Sequence, residues 1–167
     1  RHNNIKLGAG GIREVEFIAQ AFQLIRGGRD RQLQQRELLK ILPLLPQTVG
    51  VPETLVQELR DAYVLLRNVE HAIQALADRQ TQELPADELA LERIAWNLGD
   101  LSWSELEAEL DRARENVSRH FADVISPVAE AGEAEGDSSD RVLTQLWEQG
   151  FEDVDGLIEH LSTLGFN

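Results

Sequence analysis

The sequence predicts an all-α fold, a helical bundle with two long antiparallel helices and short C-terminal helices, and three observations carry that expectation. Apolar residues step alternately by three and four through two long stretches, which places them on one face of a helix. No stretch shows the period-two alternation and turn chemistry of a sheet. Glycine and proline punctuate the remainder at positions that suit the ends of shorter helices.

The first helix is expected from Ile12 to Arg26, closed by Gly27-Gly28 because glycine tolerates the left-handed conformation that ends many helices. An amphipathic stretch from Gln34 to Leu45 follows. Leu42-Pro43 and Leu45-Pro46 end or kink it, since proline lacks an N–H and crowds the preceding turn. Leu55, Leu59, Ala62, Leu66, Val69, Ile73 and Leu76 then form a seam along a helix from about Pro52 to about Arg79. Pro52 suits its first turn, where a missing N–H costs nothing, and Leu84-Pro85 lies beyond its far end. Asp87 to Leu98 makes a short amphipathic helix. Trp103, Leu106, Leu110, Ala113, Val117, His120 or Phe121, and Val124 give the second seam, from about Ser102 to about Ser126. Ser102 with Glu105 has the pattern of a capping box. Trp96 and Trp103 flank the short loop between these helices and are expected as core anchors.

The run PVAEAGEAEGDSSD, from Pro127 to Asp140, holds too little apolar surface to offset the entropy of ordering it. The expected organisation is therefore a bundle over residues 1–128, an acidic linker over 129–140, and a further segment over 141–167. In that segment Val142, Leu143, Leu146 and Trp147, then Leu157, Ile158, Leu161 and Leu164, predict two short helices.

Composition excludes several functions. There is no cysteine, so disulfides and thiolate zinc sites are impossible, and four scattered histidines give no metal-binding spacing. No apolar run approaches the roughly 20 residues that span a bilayer. A formal charge of -14 and a pI near 4.6 repel nucleic acid and anionic lipid at long range. The expectation is a cytoplasmic protein that binds neither nucleic acid nor membrane. Methionine is absent even from position 1, and the opening Arg1-His2-Asn3-Asn4 is neither a start nor a signal peptide, which predicts a piece of a longer protein.

The stretch richest in chemistry is Ile5-Lys6-Leu7-Gly8-Ala9-Gly10-Gly11-Ile12-Arg13-Glu14-Val15-Glu16-Phe17. Gly8, Gly10 and Gly11 let backbone N–H groups approach a ligand just before a helix N-terminus, whose dipole favours anions. Lys6 and Arg13 bracket them with positive charge. A phosphate-binding or nucleotide-binding element made of Lys6, Gly8, Gly10, Gly11 and Arg13 is one reading; a tight turn into the helix, with Arg13 and Glu16 a surface pair, is the other. The residues alone leave both open. The spacing is neither that of a P-loop nor that of a dinucleotide fingerprint.

The run IKLGAGGIREVEFIAQAFQLIRGGR resembles the sequence that follows the nucleotidyltransferase core in the first half of glutamine synthetase adenylyltransferases. LRNVEHAIQALADRQTQELP resembles a later helix of the same family, and the match runs from about Asn4 to Val128. A similar glycine motif occurs in the uridylyltransferase of the nitrogen-signalling protein PII, so the combination of the two runs is what is specific. The resemblance implies a multifunctional enzyme of nitrogen metabolism with two nucleotidyltransferase units. The first removes AMP from a tyrosine of glutamine synthetase with phosphate; the second transfers AMP from ATP. It implies magnesium and ATP or ADP as cofactors of the parent enzyme, and glutamine synthetase, PII and the absent nucleotidyltransferase core as partners. This chain would be the accessory helical domain behind the removing core, completing its phosphate or nucleotide site, with residues 141–167 beginning the central regulatory segment. The alternative is a protein-interaction bundle that docks glutamine synthetase or PII and has no ligand site.

No catalytic residue and no metal ligand is assigned within this chain. The family's core carries an Asp-x-Asp pair on a strand, and Asp153-Val154-Asp155 has those letters but lies between glycines in a helical tail, where a cap or turn is the simpler role. His71 beside Glu70 reads as a solvated or hydrogen-bonded histidine. Glu14, Glu16, Glu105, Glu107, Glu109 and Asp111 read mostly as solvated faces. The chain alone is expected to be inactive.

Overall fold

The computed structural model describes residues 3–77, 81–99 and 102–133, with side chains for all of these except residues 25, 77 and 125–133. The helices expected within 141–167, Asp153-Val154-Asp155 and the acidic run beyond Glu133 lie outside the described residues. Within them the fold is all-α: α1 Ile12–Arg26, α2 Leu38–Ile41, α3 Leu45–Thr48, α4 Glu53–Ala77, α5 Glu88–Asn97 and α6 Trp103–Glu133. Short 3-10 turns occupy Arg31–Leu33 and Leu42–Leu44.

The two long helices pack antiparallel. Arg119 and His120 of α6 reach Glu58 near the start of α4, whereas Leu106 and Leu110 pack with Leu66, Val69 and Ile73 toward its end. Helix α1 lies beside both and runs parallel to α6. Contacts of α1 and the loop before it advance in step, from Ala9 with Arg114, through Glu14 with Ser118, to Phe17 edge-on against Phe121 with ring centroids 5.3 Å apart. Apolar packing falls into two clusters along the bundle. One joins Val15 and Ile18 of α1 with Leu59, Ala62 and Val117; the other joins Ile5 and Ile12 with Leu66, Val69, Ile94 and Leu106. The first seam is half-buried at Leu55 and buried from Leu59 through Ile73, but Leu76 at its end is 42% exposed, on a shallow groove shared with α5.

Several boundaries differ from expectation for identifiable reasons. Gly27 does cap α1, yet it is right-handed at φ -63°. Its value is steric, since a Cβ there would stand 2.4 Å from the Gln23 carbonyl oxygen that its own N–H bonds. The amphipathic stretch expected from Gln34 to Leu45 becomes helical only at Leu38, and it breaks at the two prolines as expected, into α2, a 3-10 turn and α3, with Pro43 and Pro46 each in the first turn of a new piece. Helix α6 runs past Ser126 and Pro127 to Glu133. Alanine and glutamate, poor at making a core, are strong helix formers, and that local preference carries the helix onward. Trp103 packs on the second cluster as expected of an anchor, but Trp96 is 69% exposed, because its side of α5 points away from α4 and α6.

The capping box forms. Ser102 N–H and Oγ donate to Glu105 Oε2 at 2.9 and 2.8 Å, Glu105 N–H donates back to Ser102 Oγ at 3.3 Å, and the Glu105 carboxyl is held below its ordinary range by the Ser102 amide and hydroxyl. Ser102→Ala is expected to cost about 0.5–2 kcal/mol of stability, read from the urea midpoint at unchanged slope. An unchanged midpoint would mean that the cap adds nothing.

Candidate functional site

The glycine-rich stretch is pinned to the segment that follows α4. Asn4 forms an isolated antiparallel bridge with Glu83, Ile5 N–H donates to the Gln82 carbonyl at 2.9 Å, and Leu84 N–H donates to Asn3 at 2.9 Å. The two runs IKLGAGGIREVEF and LRNVEHAIQALADRQTQELP, far apart in sequence, are thus neighbours in space.

The loop closes on itself. Asn4 Oδ1 accepts from the N–H groups of Lys6 and Leu7 at 3.0 and 2.7 Å, and its carbonyl accepts from Gly8 at 3.0 Å. Gly11 donates to Gly8, Ile12 to Ile5 and Arg13 to Lys6, at 2.9, 3.2 and 3.2 Å. Gly10 N–H donates to Glu14 Oε2 at 2.9 Å. The backbone donors of Gly8, Gly10, Gly11 and Arg13 therefore have acceptors inside the protein, and what faces outward at these positions is the side chains of Lys6 and Arg13.

Two glycines are sterically required. Gly10 has φ +69°, and a Cβ on it would come within 2.2 Å of the Arg114 carbonyl oxygen, so the loop rests on the backbone of α6. A Cβ on Gly11 would meet the carbonyl oxygens of Lys6, Gly8 and Ile5 at 2.6, 2.7 and 2.8 Å.

Glu14, expected on a solvated face, is instead buried. Its carboxylate binds Gly10 N–H and accepts from Ser118 Oγ at 3.3 Å, while Arg114 Nε donates to the Ala9 carbonyl at 3.0 Å beside it. Burial pushes the Glu14 carboxyl above its ordinary 4.5, opposed by the Gly10 amide, Ser118 and the Arg114 charge. The native state therefore holds this proton more tightly than the unfolded chain does. Glu14's contribution to stability is fully present below pH 4.5 and lost as pH rises through its native value. Glu14→Gln is expected to remove that loss, so that stability relative to the parent improves as pH rises above 4.5 in urea titrations. Parallel pH profiles would contradict it.

Outside the loop lies a charged face that joins α1 to α4. Lys6 Nζ is 3.8 Å from Glu70 Oε1, and Arg67 donates to Glu70 Oε2 at 2.7 Å. Glu70 is only 2% exposed. The Arg67 guanidinium lies 5.7 Å from the centroid of the Tyr63 ring. Partial burial opposes its charge, but Tyr63, Glu70 and Glu16 outweigh burial and raise its pKa. Arg13 is 3.5 Å from Glu16 Oε2, the expected i,i+3 pair. Sequence reading singled out Lys6 and Arg13 but missed Arg67 and Glu70. The signal present was an Arg-x-x-Glu pair whose acid follows Val69 and flanks the buried seam, where an unpaired carboxylate would be costly.

The face is rich in cations and is no metal cage. Among the described residues no group of three or more His, Asp or Glu is placed to hold a metal ion. His71 is exposed, as a solvated histidine should be. No described helix is long and apolar enough to cross a membrane.

Comparison with known proteins adds identity to this geometry. A model of the GlnD PII-uridylyltransferase family matches residues 1–125. A protein of Hahella chejuensis named bifunctional glutamine synthetase adenylyltransferase/adenylyl-removing enzyme is 54% identical over 128 residues, covering 77% of this chain and 13% of that relative. A protein of the same name from Pseudomonas aeruginosa is 50% identical over 165 residues, covering 98% of this chain and 17% of its own length. The chain thus spans less than a fifth of the curated relatives it matches.

Proposed function

The chain belongs to the GlnD PII-uridylyltransferase family, on the branch of the bifunctional glutamine synthetase adenylyltransferase/adenylyl-removing enzymes, and from that premise we propose that it is an accessory helical domain of such an enzyme. It packs on the adenylyl-removing nucleotidyltransferase core and lends Lys6 and Arg13 to that core's phosphate or nucleotide site. The single observation that carries this reading is the convergence of the two family runs on one solvent-facing set of cations, in a chain whose formal net charge is -14.

Phosphorolysis requires an anion to be brought against an anionic ester, and cations that offset this repulsion lower the barrier. Lys6 contributes a point charge and Arg13 a planar fork able to grip two phosphate oxygens. The glycine loop contributes rigidity, because its amides are already bonded within the protein. Magnesium and ATP or ADP belong to the parent enzyme; the cationic set here suits phosphoryl oxygens, and magnesium fits the core outside this chain. Glutamine synthetase and PII are the proposed partners, and the proposed location is the cytoplasm.

The isolated chain is expected to show neither transfer nor removal of AMP, and to bind ATP only weakly, since a few cations offset little of the cost of immobilising a ligand. Calorimetry and an AMP-release assay test this, and tight magnesium-dependent ATP binding would mean that the site is misplaced. In the longer enzyme, Lys6→Ala is expected to raise the phosphate concentration for half-maximal AMP removal by about tenfold, the loss of one charge-assisted contact. Unchanged phosphate dependence would count against the reading.

A second reading, a bundle that docks glutamine synthetase or PII, is favoured by the exposed Trp96 and Leu89 on α5 beside a groove of about 150 Å³ lined by Ala72, Leu76, Arg93 and Asn97. Weakened partner binding in Trp96→Ala, with AMP chemistry on small substrates intact, would support it.

A further inference from the structure

We propose that Arg67 is a third phosphoryl-binding cation of this site and that Glu70 is the positioning residue that aims it, together with Lys6, at the ligand. The inference rests on the reading of Lys6 and Arg13 as phosphate-site residues and extends it to helix α4, where neither residue is assigned a role.

A carboxylate as buried as Glu70 needs a cation, and one would meet that need. It has two, from separate parts of the chain. Lys6 comes from the glycine-rich loop and Arg67 from the preceding turn of α4, and each takes a different oxygen. Both cations remain reachable, with side chains 26% and 37% exposed, so Glu70 acts as a floor on which two solvent-facing cations are held side by side. The Tyr63 ring backs the Arg67 guanidinium. NH1 of that guanidinium donates to Glu70 and the group also hydrogen-bonds the Tyr63 side chain, two engagements for a group that carries five N–H donors. The remaining donors lie in one plane, the geometry that grips two oxygens of a phosphoryl group.

Arg13 stands on the neighbouring edge. Glu16, its partner at 3.5 Å, also acts electrostatically on both Tyr63 and Arg67, which puts Arg13, Glu16, Tyr63, Arg67, Glu70 and Lys6 in one continuous face. It carries three cations against two carboxylates, and one of those carboxylates is buried with both oxygens taken. The surface left to a ligand is positive. The chemistry recognised is a phosphoryl group, either free phosphate or the diphosphate of a nucleotide.

The test uses the longer enzyme carrying Arg67→Ala, Arg67→Lys or Glu70→Gln, with AMP removal measured against inorganic phosphate and against added ADP. Arg67→Ala is expected to weaken dependence on one of the two by about tenfold or more, with the maximal rate less affected; Arg67→Lys is expected to recover only part, because lysine keeps the charge and loses the fork. A shift in phosphate dependence identifies free phosphate as the ligand, and a shift in ADP inhibition identifies the nucleotide. Glu70→Gln is expected to reproduce the shift while the melting temperature of Arg67→Lys stays at the parent value. Should Arg67→Ala fail to fold, Arg67→Lys decides, a several-fold change supporting the proposal and none overturning it. If Lys6→Ala and Arg13→Ala change these dependences but the Arg67 variants do not, Arg67 is structural and this inference falls alone. If none of the variants changes them, the phosphate-site reading falls with it.

Discussion

Arg13→Ala in the longer enzyme is expected to slow phosphate-dependent AMP removal by about 10²–10³-fold, an effect of the size seen when one preorganised charge donor is lost from a reacting centre. Arg13 occupies the second position of α1, one residue past the glycines, and its side chain is about one third exposed. Its link to Glu16, at 3.5 Å between i and i+3 positions, is weak enough for a ligand to displace. Arg13→Lys is expected to restore charge and little of the rate, because a point charge cannot reproduce two parallel contacts to phosphate. On the proposed two-unit organisation, AMP transfer by the other unit serves as the internal control. Steady-state kinetics of both reactions settle the matter, and equal losses in the two would point to misfolding.

Gly10→Ala should lower the unfolding free energy of this chain by about 2–5 kcal/mol. Two penalties combine there. A side chain at φ +69° is strained by about 1–2 kcal/mol. The added Cβ would also sit 2.2 Å from the Arg114 carbonyl oxygen, an overlap that forces the loop off α6 and typically costs about 1–3 kcal/mol. The displacement would uncouple Gly10 N–H from Glu14 and the Ala9 carbonyl from Arg114. Gly28→Ala makes the control, since nothing lies within 4 Å of a Cβ there. Chemical denaturation of the pair should separate them clearly; equal midpoints would mean that the loop does not rest on α6.

Much of this fold is legible in the sequence because it follows from periodicity. Seven positions between Leu55 and Leu76 and the set from Trp103 to Val124 place α4 and the start of α6 within a few residues, while the end of α6 lies seven residues beyond the expected Ser126; Leu59, Leu66, Val69, Leu106 and Val117 are all buried as their spacing requires. Ser102 and Glu105 announce the start of α6 by chemistry local to four residues. What escaped were features set by contacts distant in sequence. Trp96 is large and apolar, and nothing in the order of residues says that its side of α5 lacks a neighbour. Glu14 reads as one more acid on a helix; only the approach of α6, 104 residues later, buries it under Ser118.

The site divides the same way. The glycines advertise a close approach, and the sequence left open whether a ligand or the protein would be what approached. For the backbone the structure supplies Glu14, Asn4 and Arg114 as the answer. The side chains of Lys6 and Arg13 keep the ligand question alive, and Arg67 joins them through Glu70, a relation between residues some sixty positions apart that no local pattern encodes.

The most direct test of the account is a crystal structure of the proposed adenylyl-removing unit, this chain together with the nucleotidyltransferase core proposed for it, with ADP or phosphate bound. The account predicts phosphoryl oxygens within hydrogen-bond reach, about 3 Å, of the Arg13 guanidinium or the Lys6 ammonium. Phosphoryl groups lying more than about 10 Å from both, beyond one Debye length at moderate salt, would contradict it and leave the glycine-rich loop as a structural clasp between α1 and α6.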